Sequence, residues 1–361
     1  MLRKLSLLCA VAFGSTLTVY AQFNVNGQDT INNPISPSVP FAAFTPDARS
    51  AAMGDVGAAI SADANSTYWG AAKLVHAEKN SGLSLSYTPW LRNLTDDMYF
   101  AYLSGFKKIG KNQAFGVSLM YFDHGVFQAR NNFGTLLGDY YSNEFYGAVS
   151  YSRKLTDNFS MGVTLKYLNS NLASGAPVPG GGAIKAAQTA AGDISAFYQK
   201  NNIDEGSGQG WNHAFALMLQ NIGGKVNYGG STAGFIPTTF KLGVASTRHI
   251  DTHNKFTVAV DVNKLMIPTP PVRNASGVIT SGKDPDRGTI SAMFSSFGDA
   301  PGGFSEELRE FMIAAGMEYW YNDVFALRAG YFNEARTKGD RKYFPTVSVF
   351  LWSLICSKNK S

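Results

Sequence analysis

The chain has 361 residues, 45% of them hydrophobic and only 16% charged, with 37 glycines, 25 phenylalanines and 17 tyrosines, a composition too apolar and aromatic for a disordered protein. A mean hydropathy of −0.10, with no uncharged apolar run of about 18 residues beyond the extreme N-terminus, excludes a bundle of membrane helices. The net charge of +5 is too weak a bias to argue for nucleic acid.

At the N-terminus Arg3 and Lys4 precede an apolar stretch over residues 5–17, and Val19 and Ala21 stand where a signal peptidase reads small residues. The pattern predicts a signal peptide over residues 1–21, cleavage before Gln22 and an exported mature protein. Only Cys356 then remains, so no disulfide framework, zinc ribbon or redox thiol pair is expected. Residues 22–80 open with Pro34, Pro37, Pro40 and Pro46 and continue as a run of small residues over 48–72. Small side chains allow close backbone packing, and the segment is expected to fold into the lumen of a barrel as a plug.

From residue 81 onward the hydrophobic period is two. Phe159, Met161, Val163, Leu165 and Tyr167 oppose Ser160, Gly162, Thr164 and Lys166, and Phe256, Val258, Val260 and Val262 oppose Thr257, Ala259 and Asp261. Twelve such strands are predicted, near 82–90, 97–107, 112–123, 143–154, 158–170, 192–200, 211–221, 237–248, 254–264, 311–321, 323–333 and 342–354. Most reach the roughly 9 to 11 residues that a tilted membrane strand needs. Tight turns near 108–111, 155–157, 249–253 and 322 alternate with long links at 124–142, 171–191, 222–236 and 265–310. Sorting of links by parity predicts a transmembrane antiparallel β-barrel over 81–355, with short turns in the periplasm and long loops outside.

Constellations for chemistry are weak. His249, Asp251 and His253 alternate beside Arg248 and Lys255, which reads as a solvated turn, since neighbouring cations repel a metal. Asp123-His124 has no placed nucleophile, and the glycine run ending at Gly210 lacks the strand, Lys-Ser/Thr and helix of a phosphate loop. No catalytic residue, metal set or cofactor is therefore expected. The inward-facing Glu144, Lys166, Lys241, Asp261, Glu318 and Arg328 are expected to form a salt-bridged lumen that holds the plug. The link 124–142 carries Phe127, Phe133, Leu136 and Leu137, and 265–310 carries Phe294, Phe297 and Phe304. Exposed apolar residues there point to a protein or lipid partner, the alternative being a self-packed cap with Ser305 capping a short helix.

The stretch Pro40-Phe41, Pro46-Asp47-Ala48-Arg49, Ala52-Met53-Gly54-Asp55-Val56-Gly57-Ala58-Ala59, Asp63, Ser66, Tyr68-Trp69 and Ala72-Lys73-Leu74 resembles the opening of the PorV (LptO) family of outer-membrane proteins. That family belongs to the type IX secretion system of Bacteroidota, and the likeness runs as far as Phe344. Gly70-Ala71 departs from the Asn-Pro usual after the Trp. The resemblance implies a FadL-like barrel of fourteen strands in the Gram-negative outer membrane, with Asp47, Arg49, Met53, Gly54, Gly57, Asp63 and Trp69 as plug motif. It also implies a non-enzymatic shuttle that binds the C-terminal signal domains of cargo at the translocon barrel and delivers them to the surface attachment complex. On that reading the aromatic loops are the cargo or translocon contacts. Two rivals are a FadL-like transporter of hydrophobic small molecules and, as the second family name suggests, a lipopolysaccharide deacylase. The transporter would need a continuous apolar pocket from loops to lateral wall, and the enzyme a positioned nucleophile and base near the outer leaflet, a pair not found in the sequence.

The C-terminal end departs from the resemblance. Twelve strands are two short of fourteen, the run from Pro345 to Cys356 reads as having lost its alternation, and 356–361 is an aberrant polar tail. A shifted reading frame or premature stop, or else a genuinely shorter barrel, is the expectation.

Overall fold

The computed structural model describes residues 32–131, 133–177, 182–204, 206–230, 232–339 and 343–351. The expected signal peptide and the tail 356–361 lie outside the described residues. Among the described residues one antiparallel sheet of twelve strands dominates, its strands paired in chain order with one small hairpin left out between the ninth and tenth. In order they are β1 Ser81–Pro89, β2 Tyr99–Ile109, β3 Gln113–Arg130, β4 Leu136–Lys154, β5 Phe159–Asn171, β6 Ala187–Ile203 and β7 Gly210–Gly223. There follow β8 Thr239–His249, β9 Asn254–Leu265, a small separate hairpin of β10 Val272–Arg273 and β11 Ile279–Ser281, then β12 Phe311–Tyr321, β13 Phe325–Asn333 and β14 Tyr343–Leu351. The small hairpin pairs only with itself, and β9 pairs directly with β12. All twelve predicted strands are present.

Alternation sorts the two faces. Leu83, Leu119, Leu165, Val260 and Met317 are exposed on one face, while Tyr102, Met120, Leu168, Asp261 and Glu318 are buried on the other. An apolar exposed face opposite a polar, buried one inverts the pattern of a water-soluble sheet and is that of a membrane barrel. Outward-facing aromatics pair at both ends of the strands. Tyr87–Tyr99, Tyr99–Tyr121 and Phe145–Tyr167 lie at one end and Phe115–Tyr151 and Tyr198–Phe215 at the other, with ring centroids 5.0 to 6.4 Å apart. Such girdles mark the two membrane interfaces. Links at the second end are short (110–112, 155–158, 204–209, 250–253 and 322–324), and those at the first end include 172–186, 224–238 and 266–310. The protein is a transmembrane antiparallel β-barrel.

The sheet curls because its inner face surrounds something. Val39, Phe41, Ala42, Tyr68 and Trp69 pack with inward residues of β2 to β6. Met53, Val56, Ala58, Ala59 and Ile60 pack with inward residues of β6 to β9, β12 and β13. One segment touching almost every strand on the same face requires that face to be concave. The segment itself is a series of tight pieces, a 3-10 turn Pro40–Ala43, a helix Ala48–Ala52 and 3-10 turns Ala64–Thr67 and Ala71–His76.

Three expectations need correction. The link 124–142 is no irregular loop: β3 and β4 continue through it as a two-stranded ribbon, so that Phe127, Leu136 and Leu137 belong to strands and only 131–135 form the tip. In 266–310 the helix Phe304–Arg309 has Gly303, not Ser305, at its N-cap, and no side chain caps it. Over 345–349 alternation persists, with Pro345, Val347 and Val349 exposed and Thr346 and Ser348 partly buried, and the Thr346 hydroxyl donates to Ala52 O at 2.8 Å. Pro345 stands opposite Tyr331.

Candidate functional site

Two regions concentrate what the sequence singled out: the lock between inner segment and wall, and the structures beyond the long-loop end. In the lock, Asp47 caps the helix Ala48–Ala52 by accepting from Ser50 N at 2.9 Å, while its other oxygen accepts from Trp69 Nε1 at 2.6 Å. One carboxylate thus fixes a helix start and the orientation of the indole. Arg49, one residue on, reaches the wall. Its Nε and Nη2 donate to the Glu318 carboxylate of β12 at 3.0 and 2.7 Å, and Nη1 donates to Asp63 Oδ2 at 3.1 Å. Asp63 in turn caps the turn Ala64–Thr67. On the wall side Arg328 Nε of β13 donates to the same Glu318 at 2.6 Å.

Close approach does the rest. Gly54 has φ of 70° and lies so near β13 that a Cβ there would stand 2.5 Å from Tyr331 N, which only glycine tolerates. Met53 is wholly buried beside it. Gly57 faces the Trp69 ring, where a Cβ would come within 2.0 Å. The backbone N–H groups of Gly57 and Ala58 both donate to Asp261 Oδ2 of β9 at 2.8 Å. Lys73 Nζ donates to Gly57 O at 2.6 Å, closing the loop from within.

All seven motif residues, Asp47, Arg49, Met53, Gly54, Gly57, Asp63 and Trp69, therefore belong to one arrangement that seats the inner segment against the wall. The inward charges are paired as well. Lys166 Nζ lies 2.8 Å from Asp193 Oδ2, Glu144 accepts at 2.9 Å from His124, and Lys241 Nζ stands 4.6 Å from the Trp69 ring centroid. Sequence reasoning missed Asp193, whose signal was a carboxylate on the inward parity of β6.

Beyond the long-loop end, the geometry separates the predicted aromatic residues into two sets. At Asp123 to Val126 the β3–β4 register shifts, and past that bulge both faces of the ribbon lose their cover. Phe133 at its tip is 93% exposed, and Phe127, Leu136 and Leu137 are exposed along it. The other set lies in 266–310, on two short helices, Thr289–Ser295 and Phe304–Arg309, where Phe294 and Phe304 are exposed and Phe297 rests edge-on against Phe240 at 6.3 Å. The two sets are not brought together into one surface by any contact described.

The Asp251 carboxylate accepts from the backbone N–H groups of His253 and Asn254 at 2.7 and 2.8 Å, a turn of the kind Asp commonly makes. Among the described residues no group of His, Cys, Asp and Glu suits a metal ion.

A family model described as "Type IX secretion system protein PorV" matches residues 27–272. No curated protein matches the chain. Solved structures that overlap it include the toluene transporter TodX of Pseudomonas putida, at 12% identity, 79% of this chain, 82% of that chain and a TM-score of 0.40. The CymD monoaromatic hydrocarbon channel overlaps at 13% identity, 84% of this chain, 88% of that chain and a TM-score of 0.41. LpxR from Salmonella typhimurium overlaps at 12% identity, 75% of this chain, 100% of that chain and a TM-score of 0.33. Overlaps this distant carry no argument, and the barrel rests on the two faces, the girdles and the links described above.

Proposed function

The chain belongs to the PorV family of type IX secretion system proteins, and on that premise we propose that it binds the C-terminal signal domain of secreted cargo and passes it from the translocon barrel to the cell-surface attachment complex. It is a non-enzymatic protein of the outer membrane, and the source we infer is a Gram-negative bacterium of the Bacteroidota. The observation that carries the cargo reading is the β3–β4 ribbon. It projects from the long-loop end with Phe133 93% exposed at its tip, and large solvated apolar side chains on a hydrogen-bonded two-stranded support suit a protein interface.

The interior supports the same reading. A transporter of hydrophobic molecules needs a continuous apolar path, whereas here the lumen is occupied by residues 33–77, which also serve as a plug in our reading, and is crossed by Lys166–Asp193 and Arg49–Glu318. The test replaces Phe127, Phe133 and Leu137 together by Ala and measures capture of a purified cargo signal domain by the barrel, alongside secretion in cells. True anchors are each worth about 2 kcal/mol or more, so binding and secretion should collapse while the barrel assembles normally. Undiminished capture by the triple variant would remove the ribbon from the interface.

A further inference from the structure

Lys264 breaks the pattern of its own strand. It shares the outward face of β9 with Val258, Val260 and Val262, yet it is fully buried. Register places it between two aromatics of the same face, Phe240 of β8 and Phe311 of β12. The cover comes from the link 266–310. Phe297 packs against Phe240, the Phe297 and Phe311 rings each lie 5.5 Å from Lys264 Nζ, and the carboxylates of Glu307, at 3.3 Å, and Glu310 accept from the same nitrogen. The link therefore folds over the rim and down onto the lipid-facing side of the wall. A charge on that side is tolerable only because it is paired and enclosed.

The height of this cover can be estimated. Phe311 and Tyr321 stand ten positions apart on β12; at about 3.3 Å per residue and a tilt near 40° that is roughly 25 Å along the membrane normal. Tyr321 faces out at the short-turn end, so the Phe240–Lys264–Phe311 row falls at the outer edge of an apolar band about 25 Å tall. Two rows of side chains run from it. Ile290 and Phe294 stand at i, i+4 on one face of the helix Thr289–Ser295, and Phe304 and Leu308 at i, i+4 on one face of Phe304–Arg309; Phe297 and Phe311 follow just past the helix ends and carry each row onto the wall. Both rows end on the wall, and their free members are exposed, Ile290 by 59%, Phe294 by 68%, Phe304 by 77% and Leu308 by 54%. Ala292 on the opposite side of its helix, and Met293 and Glu307 beside the exposed faces, are buried. Arg309 is exposed beside Leu308, where a cation can reach lipid phosphate.

We propose that the two short helices of 289–309 are an interfacial anchor that lays Ile290, Phe294, Phe304 and Leu308 into the outer leaflet beside the barrel wall. The occupant is lipid because both apolar rows are continuous with the lipid-facing wall and reach it at the height of the acyl–headgroup boundary. This assignment is independent of the cargo reading, which rests on the ribbon.

The test uses the unmodified full chain in phosphatidylcholine vesicles containing a phosphatidylcholine that carries a diazirine near the top of one acyl chain. After irradiation, labelled peptides are mapped by mass spectrometry. Label in 289–309 should approach that of the outward wall residues 242–246 and exceed that of the ribbon tip 127–137 several-fold. Phe294→Ser with Phe304→Ser should lower it at those helices while the wall label is unchanged. Label in 289–309 no greater than at the ribbon tip would overturn the anchor, as would protection of this segment only on addition of secretion-system partners.

Discussion

Arg49 and Glu318 lie 269 positions apart in the chain and meet through two parallel hydrogen bonds, Nε to Oε2 at 3.0 Å and Nη2 to Oε1 at 2.7 Å. The carboxylate is 1% exposed and also accepts from Arg328. A bidentate pair of this kind fixes direction as well as distance. Glu318→Ala deprives two guanidinium groups of their shared, buried carboxylate, a change that typically costs about 3 to 5 kcal/mol. We expect detergent-folded protein to unfold at correspondingly lower denaturant and the inner segment to become protease-sensitive first. A loss below about 1 kcal/mol, the worth of an exposed pair, would show that the lock does not depend on this contact.

The Gly57 and Trp69 contact gives a second, independent test of the lock. A Cβ at residue 57 would come within 2.0 Å of the indole, so Gly57→Ala must push the ring aside at a cost of about 1 to 3 kcal/mol. Trp69→Ala alone removes a buried aromatic and should cost about 3 to 5 kcal/mol. With the ring gone the three atoms nearest that methyl are gone too. The double variant should then be more stable than the sum of the singles predicts, by at least about 1 kcal/mol. Strict additivity would mean that the strain at Gly57 comes from elsewhere.

Much of this was legible in the sequence because a membrane wall writes its own period. Apolar residues at every second position marked all twelve strands, since lipid on one side and the lumen on the other leave no freedom of phase. The same rule explains what was not legible. Past the Asp123–Val126 bulge neither face of the ribbon is covered, so Val126-Phe-Gln-Ala-Arg130 carries no alternation and reads as loop. The lock residues were found through family resemblance. Their partners were visible only as inward charges, because which carboxylate meets Arg49 depends on contacts more than 260 residues apart. Lys264 was the overlooked signal: a cation in phase with outward valines announces that something covers it.

Topology can be checked on whole cells. The exposed Arg273 and Lys283 belong to 266–310, while Lys111 belongs to the short turn 110–112. With long loops outside, trypsin added to intact cells should cut after Arg273 or Lys283 and leave Lys111 intact until the outer membrane is opened. Cutting at Lys111 in intact cells, with 266–310 spared, would invert the barrel.

The last prediction concerns acid. Glu306 accepts from Lys338 and, at 3.2 Å, from Asn33 Nδ2, and so ties the helix Phe304–Arg309 to the link after β13 and to the start of the inner segment. Burial alone would raise its carboxyl above the ordinary 4.5, but the Lys338 ammonium, the Gly302 N–H and Asn33 outweigh it and hold the group lower. A folded-state value below the unfolded one means that the unfolded chain binds the proton more readily. The tie is therefore fully present above pH 4.5 and is lost as pH falls through the depressed folded value. Hydrogen exchange in 304–309, corrected for the intrinsic pH dependence of exchange, should stay slow from neutral pH into the mildly acidic range and accelerate only below it. Glu306→Gln should exchange faster at neutral pH and show no such acid step. An acid step that persists in Glu306→Gln would assign the release to another carboxylate, with buried Glu310, which also accepts from Lys338 at 2.9 Å, the first to replace.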